Sequence, residues 1–80
     1  MTLKQCIAAR ITQLCEQKNI TPYALSMLCG IDKSTLYSIL GKKSKSPEVS
    51  TIKKICDGLE IPLSPFFATP EFDALKQEIQ

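Results

Sequence analysis

Residues 21–40, TPYALSMLCGIDKSTLYSIL, constrain the fold more than any other stretch of the chain. Hydrophobic spacing predicts two short helices, about 22–29 and 33–40, meeting at a glycine. Thr21 is a natural cap, followed by Pro22 at the first helical position, where a missing N–H and a fixed φ cost little. Leu25, Leu28 and Cys29 recur at helical spacing, so one face of the first helix is apolar. Gly30 tolerates the left-handed conformation that ends a helix. Ile31 plugs the turn, and Asp32 can cap the second helix. In that helix Leu36, Ile39 and Leu40 point one way, while Lys33, Ser34, Tyr37 and Ser38 point another. A helix held down by three aliphatic residues, with short polar side chains outward, is suited to lying in a groove.

The flanks are helical too. A first helix is expected from Thr2, its cap, to Lys18, with Leu3, Ile7, Ile11 and Leu14 as its buried stripe and Lys4 and Arg10 facing water. Asn19 supplies the positive φ that ends it, and Ile20 staples the next helix. Ser26 is small enough to let helices cross closely. A fourth helix, about 49–59, carries Val49, Ile52, Ile55, Cys56 and Leu59 on one face, with Lys53 and Lys54 outside and Gly58 allowing close contact. A short fifth helix starts at Pro62 or Pro65, and Phe66 or Phe67 closes the core. Thr69 and Pro70 open a sixth, acidic helix lined by Phe72, Leu75 and Ile79.

Eighty residues make one small domain, here all-α, which needs efficient packing or a partner because so short a chain buries only about 60% of its unfolded surface. The apolar runs are too short for a membrane span or a signal peptide. A net charge of +2 hides an uneven distribution: six lysines lie between residues 32 and 54, and five carboxylates beyond residue 55. After Gly41, Lys42, Lys43 and Lys45 alternate with serines before Pro47, which reads either as a phosphate clamp or as a plain solvated loop. The cysteines at 6, 15, 29 and 56 form no CxxC pair and no histidine accompanies them, so a zinc site is not expected. They read as core thiols of a protein in a reducing cytoplasm. No catalytic constellation, cofactor loop or small-molecule site is visible, and an enzyme is not expected.

Thr21, Leu25, Ser26, Gly30, Ile31, the Ser34–Thr35–Leu36 run, Ile39 and GKKSKSP together resemble the Xre/Cro, phage-repressor type of helix-turn-helix DNA-binding domain. The downstream TIKKICDGLEIPLSPFF resembles that family's fourth and fifth helices, so the likeness spans about residues 3–67. It implies a five-helix domain over 1–68 with a C-terminal helical extension over 69–80. Two departures stand out. Where relatives often pair an arginine in helix 1 with a glutamate ending helix 3, this chain has Cys15 and Leu40, expected to approach each other as an apolar replacement. Where many relatives use a phosphate-gripping glutamine, it has Pro22.

By position, the resemblance implies that Lys33, Ser34, Tyr37 and Ser38 meet base edges in the major groove. Pro22, Tyr23, Thr35, Lys42, Lys43 and Lys45 would hold the backbone. The expected activity is sequence-specific binding of double-stranded DNA by a repressor-like transcriptional regulator of bacterial or phage origin, working without cofactor. A homodimer is expected through Phe66, Phe67, Phe72, Leu75 and Ile79, on the side away from the basic face, unless the last helix folds back on its own domain. The alternative is an antitoxin-like or regulatory protein-interaction module that has kept the fold.

Overall fold

The computed structural model of the chain describes residues 1–41 and 46–79, and among them the only regular elements are helices. In order they are α1 (Leu3–Lys18), α2 (Pro22–Cys29), α3 (Lys33–Leu40), α4 (Val49–Gly58), α5 (Leu63–Phe67) and α6 (Pro70–Asp73). Lys42, Lys43 and Lys45 lie outside the described residues.

Local chemistry sets the helix ends. Thr2 and Gln5 form a reciprocal capping box: the Gln5 amide donates to Thr2 Oγ1 at 3.2 Å, and the Thr2 amide to Gln5 Oε1 at 2.8 Å. Asn19 closes α1 at φ 55°, in the left-handed region. Thr21 Oγ1 accepts from the Ala24 amide at 3.1 Å, Pro22 opens α2, and Gly30 ends it at φ 68°. Asp32 occupies the cap position of α3 but makes no side-chain cap bond. That helix depends on tertiary support, as an isolated eight-residue helix is unstable in water.

Helix α2 packs on α3 and α4, and α1 packs on α2, α3 and α6, with α5 against α4. Their inner faces form one core, in which Phe66, Ile11, Leu25, Leu36, Ile55 and Leu59 are fully buried. Cys6, Cys15 and Cys56 are buried thiols and Cys29 is half-buried, all four free. Cys15 belongs to the core, and Leu40 packs against its edge. No described helix is long and apolar enough to cross a membrane.

Several expectations are corrected. The inner face of α2 runs through Leu25, Ser26 and Cys29, and Leu28 is 59% exposed. The backbone of α4 crosses too close there for a side chain to lie between. Val49 is exposed because the first turn of α4 overshoots the core, which begins at Ile52.

Helix α6 is a single turn without a side-chain cap, so Leu75 and Ile79 lie beyond it. Phe72 folds back onto its own domain, its ring 5.1 Å from Phe67 and 6.3 Å from Phe66. Phe66 has no accessible surface left for a partner. Glu71, Leu75 and Glu78 line a groove of about 770 Å³ together with Lys4 and Ser46.

Lys4 and Arg10 do not simply face water. Lys4 Nζ donates to the Ile39 carbonyl at 3.2 Å and to that of Gly41. Arg10 donates through Nε to the Phe66 carbonyl at 2.8 Å and through Nη2 to that of Pro65 at 2.7 Å. Both lie on the edge of the buried stripe, Lys4 three residues before Ile7 and Arg10 four before Leu14. Long basic side chains there bury their stems and send their charged heads to helix-terminal carbonyls.

Candidate nucleic-acid interface

The two short helices generate one face from opposite requirements. Burial of Leu36 and Ile39 fixes the rotation of α3 about its axis, with Leu40 half-buried at its end. At about 100° per residue, that rotation turns Lys33, Ser34, Tyr37 and Ser38 outward, and all four are exposed. Thr35 is exposed beside them. A helix about 12 Å long and about 10–12 Å wide fits the major groove of B-DNA, which is about 12 Å wide.

Helix α2 brings its first turn to the same place. Lys33 Nζ lies 5.7 Å from the centroid of the Tyr23 ring, a cation–π contact linking the first turn of α2 to the first turn of α3. Tyr23 and Tyr37 are each half exposed, and Pro22 is half-buried at the opening of α2. The structure thus brings Tyr23 and Lys33 together and leaves Ser34, Thr35, Tyr37 and Ser38 along the outer side of α3. Ser26, buried behind this face, donates its hydroxyl to the Tyr23 carbonyl at 2.6 Å, so its polar group is satisfied inside α2.

Residues outside the sequence-based set also shape the face. Met27 is 69% exposed on the outer side of α2, one turn on from Tyr23. Its spacing from Tyr23 is a visible signal, since the pair shares a helix face that the buried stripe leaves out. Lys4 reaches the end of α3 from 35 residues away, which no local pattern encodes. Lys53 is tied to Asp57 one turn on in a solvent-exposed pair, while Lys54 is exposed. Among the described residues, no group of three or more histidine, cysteine or carboxylate side chains is placed to hold a metal.

Burial raises the pKa of all four thiols, so none is poised as a thiolate nucleophile. For Cys29 burial is the main cause and nearby Cys15 adds to it, bringing the value from 9.0 to about 11.

A solved structure shares this fold. The crystal structure of the prophage Lp1 protein 11 superposes with a TM-score of 0.83 at 28% identity, covering 92% of this chain and 97% of that one. No curated protein sequence matches. The family profile of the Cro/C1-type helix-turn-helix DNA-binding domain matches residues 10–69, a span that contains α2, α3, α4 and α5 whole, and the chain belongs to that family.

Proposed function

We propose that this protein is a sequence-specific regulator that lays α3 in the major groove of double-stranded DNA and represses by occupying its site. The observation that carries the reading is the outward row of Lys33, Ser34, Tyr37 and Ser38 on a helix whose other side is locked by Leu36 and Ile39. Lys33 suits the O6 and N7 acceptors of guanine, and the serine hydroxyls accommodate several bases. Tyr37 is placed for a thymine methyl or a phosphate. Pro22, Tyr23 and Thr35 at the rim, with Lys42, Lys43 and Lys45 after α3, supply backbone contacts that set register and affinity. A domain seated on those base pairs excludes other proteins from them, so repression needs no additional part.

One such face is small, and useful affinity calls for two copies on a two-fold site about one helical turn apart. The C-terminal segment is the proposed contact between copies. Ile79 is 87% exposed and Leu75 half-buried, with Phe67 and Phe72 as the rim. Phe66 is excluded from that surface by its burial.

Exposed Met27 and Leu28 on α2 favour a second reading, a helical protein-interaction module. One experiment separates the two. Selection of bound fragments from random duplexes, followed by a salt titration, is expected to return a two-fold site. Binding should fall linearly in log–log form by about 0.9 per phosphate contact. The double variant Lys42→Glu/Lys43→Glu should weaken binding to every duplex. Absence of salt-dependent binding would shift the reading to the interaction module.

A further inference from the structure

We infer that Lys4 is the positioning residue of the DNA-reading helix, acting by holding the C-terminal end of α3 rather than by touching DNA; this rests on the function proposed above. Helix α3 has eight residues and no side-chain cap at its start. At its end the Gly41 amide bonds back to the carbonyls of Tyr37 at 2.9 Å and Ser38 at 3.1 Å. Of the next carbonyls, those of Ile39 and Gly41 are taken by Lys4 Nζ, from 35 and 37 residues away. The half-buried ammonium thus sits where the helix dipole is negative and the free carbonyls converge, which favours a cation.

That placement fixes two things at once. It ties α3 to the capped, 16-residue α1, the longest element of the fold. It also anchors Gly41, the residue that precedes Lys42, Lys43 and Lys45 in the sequence. Leu36 and Ile39 set the rotation of α3 about its axis, and Lys4 sets the level at which the axis ends. Without Lys4 the buried leucine and isoleucine still attach the helix, but its last turn and Gly41 are released together. The half-buried head, directed at carbonyls, is unavailable for a phosphate.

The test compares the unaltered protein with Lys4→Met and Lys4→Arg, reading amide hydrogen exchange of the free protein and DNA affinity across a salt series. In Lys4→Met, exchange at the Leu40 and Gly41 amides is expected to rise about tenfold more than at amides of α1 and α4. Affinity for the selected duplex should fall about tenfold with an unchanged salt slope, and Lys4→Arg should restore both. A salt slope lower by about 0.9 would make Lys4 a phosphate contact and overturn the inference. Exchange rising equally throughout the fold, or no change in exchange at the end of α3, would overturn it as well. If the unaltered protein binds no duplex, the proposed function fails, and local exchange still decides whether Lys4 holds α3.

Discussion

Gly58 lies against the backbone of Cys29: a Cβ built on the glycine would sit 3.0 Å from the Cys29 amide nitrogen and 3.1 Å from the Leu28 carbonyl carbon. The last turns of α2 and α4 therefore meet backbone to backbone, and that meeting turns Leu28 outward. Two effects oppose each other in Gly58→Ala. Alanine gains up to about 1 kcal/mol of helix propensity. A methyl pressed onto backbone that cannot swing aside costs about 1–3 kcal/mol. The clash is expected to win, lowering the thermal midpoint by several degrees in a calorimetric or circular-dichroism melt. A midpoint at or above that of the unaltered protein would show that the crossing can open.

Arg10 joins α1 to the end of α5, its guanidinium reaching two carbonyls and also Gln13 Oε1 at 2.6 Å. Removing it leaves the carbonyls of Pro65 and Phe66 without this donor, at about 1–3 kcal/mol. Arg10→Met is expected to lower stability by that amount in urea unfolding. Arg10→Lys should recover only part, since a single ammonium lacks the planar fork that reaches both carbonyls.

The thiols make stability fall in alkali. The folded state holds the Cys29 proton up to about pH 11, whereas the group ordinarily releases it near 9.0. Between those values the unfolded chain binds fewer protons, so stability declines as pH rises. The contribution is complete below about pH 9 and is lost through pH 11. The stability difference between pH 8 and pH 11 is expected to be smaller in Cys29→Ala than in the unaltered protein. An identical loss in the two would assign the alkaline decline to other groups.

How far these features are legible in the sequence depends on whether their causes are local. The caps at Thr2 and Thr21, the glycine that ends α2 and the buried Ile7, Ile11, Leu14, Leu36 and Ile39 follow from neighbouring residues, and periodicity places them correctly. The same periodicity misplaces Leu3, Leu28 and Val49, all of them exposed. It reports which residues share a face, but not where the partner helix crosses or where the core stops. Charge alone sends Lys4 and Arg10 to water, although each is half-buried on the edge of a buried stripe. Their acceptors lie 35 to 56 residues away, beyond any local pattern. The outward row on α3 is readable because Leu36 and Ile39 fix it. The contact of Lys33 with Tyr23 requires the angle between two helices.

That contact gives Tyr23 a separable role. If the ring matters by holding Lys33 over its face, Tyr23→Phe keeps the interaction and Tyr23→Ala loses it. Cation–π contacts at exposed sites are worth about 0.5–1 kcal/mol. Tyr23→Ala is expected to weaken binding to the selected duplex two- to fivefold, roughly that energy, with Tyr23→Phe near the unaltered protein. Equal weakening by both would assign the effect to the hydroxyl, placing it on a phosphate as the family resemblance implies.

The C-terminal segment offers the sharpest division of labour. Phe72 is half-buried and meets Phe67 edge to face, and Phe67 in turn meets Phe66 at 4.9 Å and 72°. This aromatic chain runs from the centre of the core to its rim, so Phe72 belongs to the stability of its own domain. Truncating it removes both ring contacts and part of the cover over Phe66. Phe72→Ala is expected to cost about 1–3 kcal/mol in urea unfolding, below the loss for a fully buried phenylalanine. Ile79 extends past α6 and is mostly in solvent, so Ile79→Ser should leave monomer stability within about 0.5 kcal/mol. If the segment joins two copies, the same serine raises the dimer dissociation constant in sedimentation equilibrium. Phe72→Ala that left the melt unchanged but abolished the dimer would reverse the assignment, placing Phe72 in a partner rather than in its own fold.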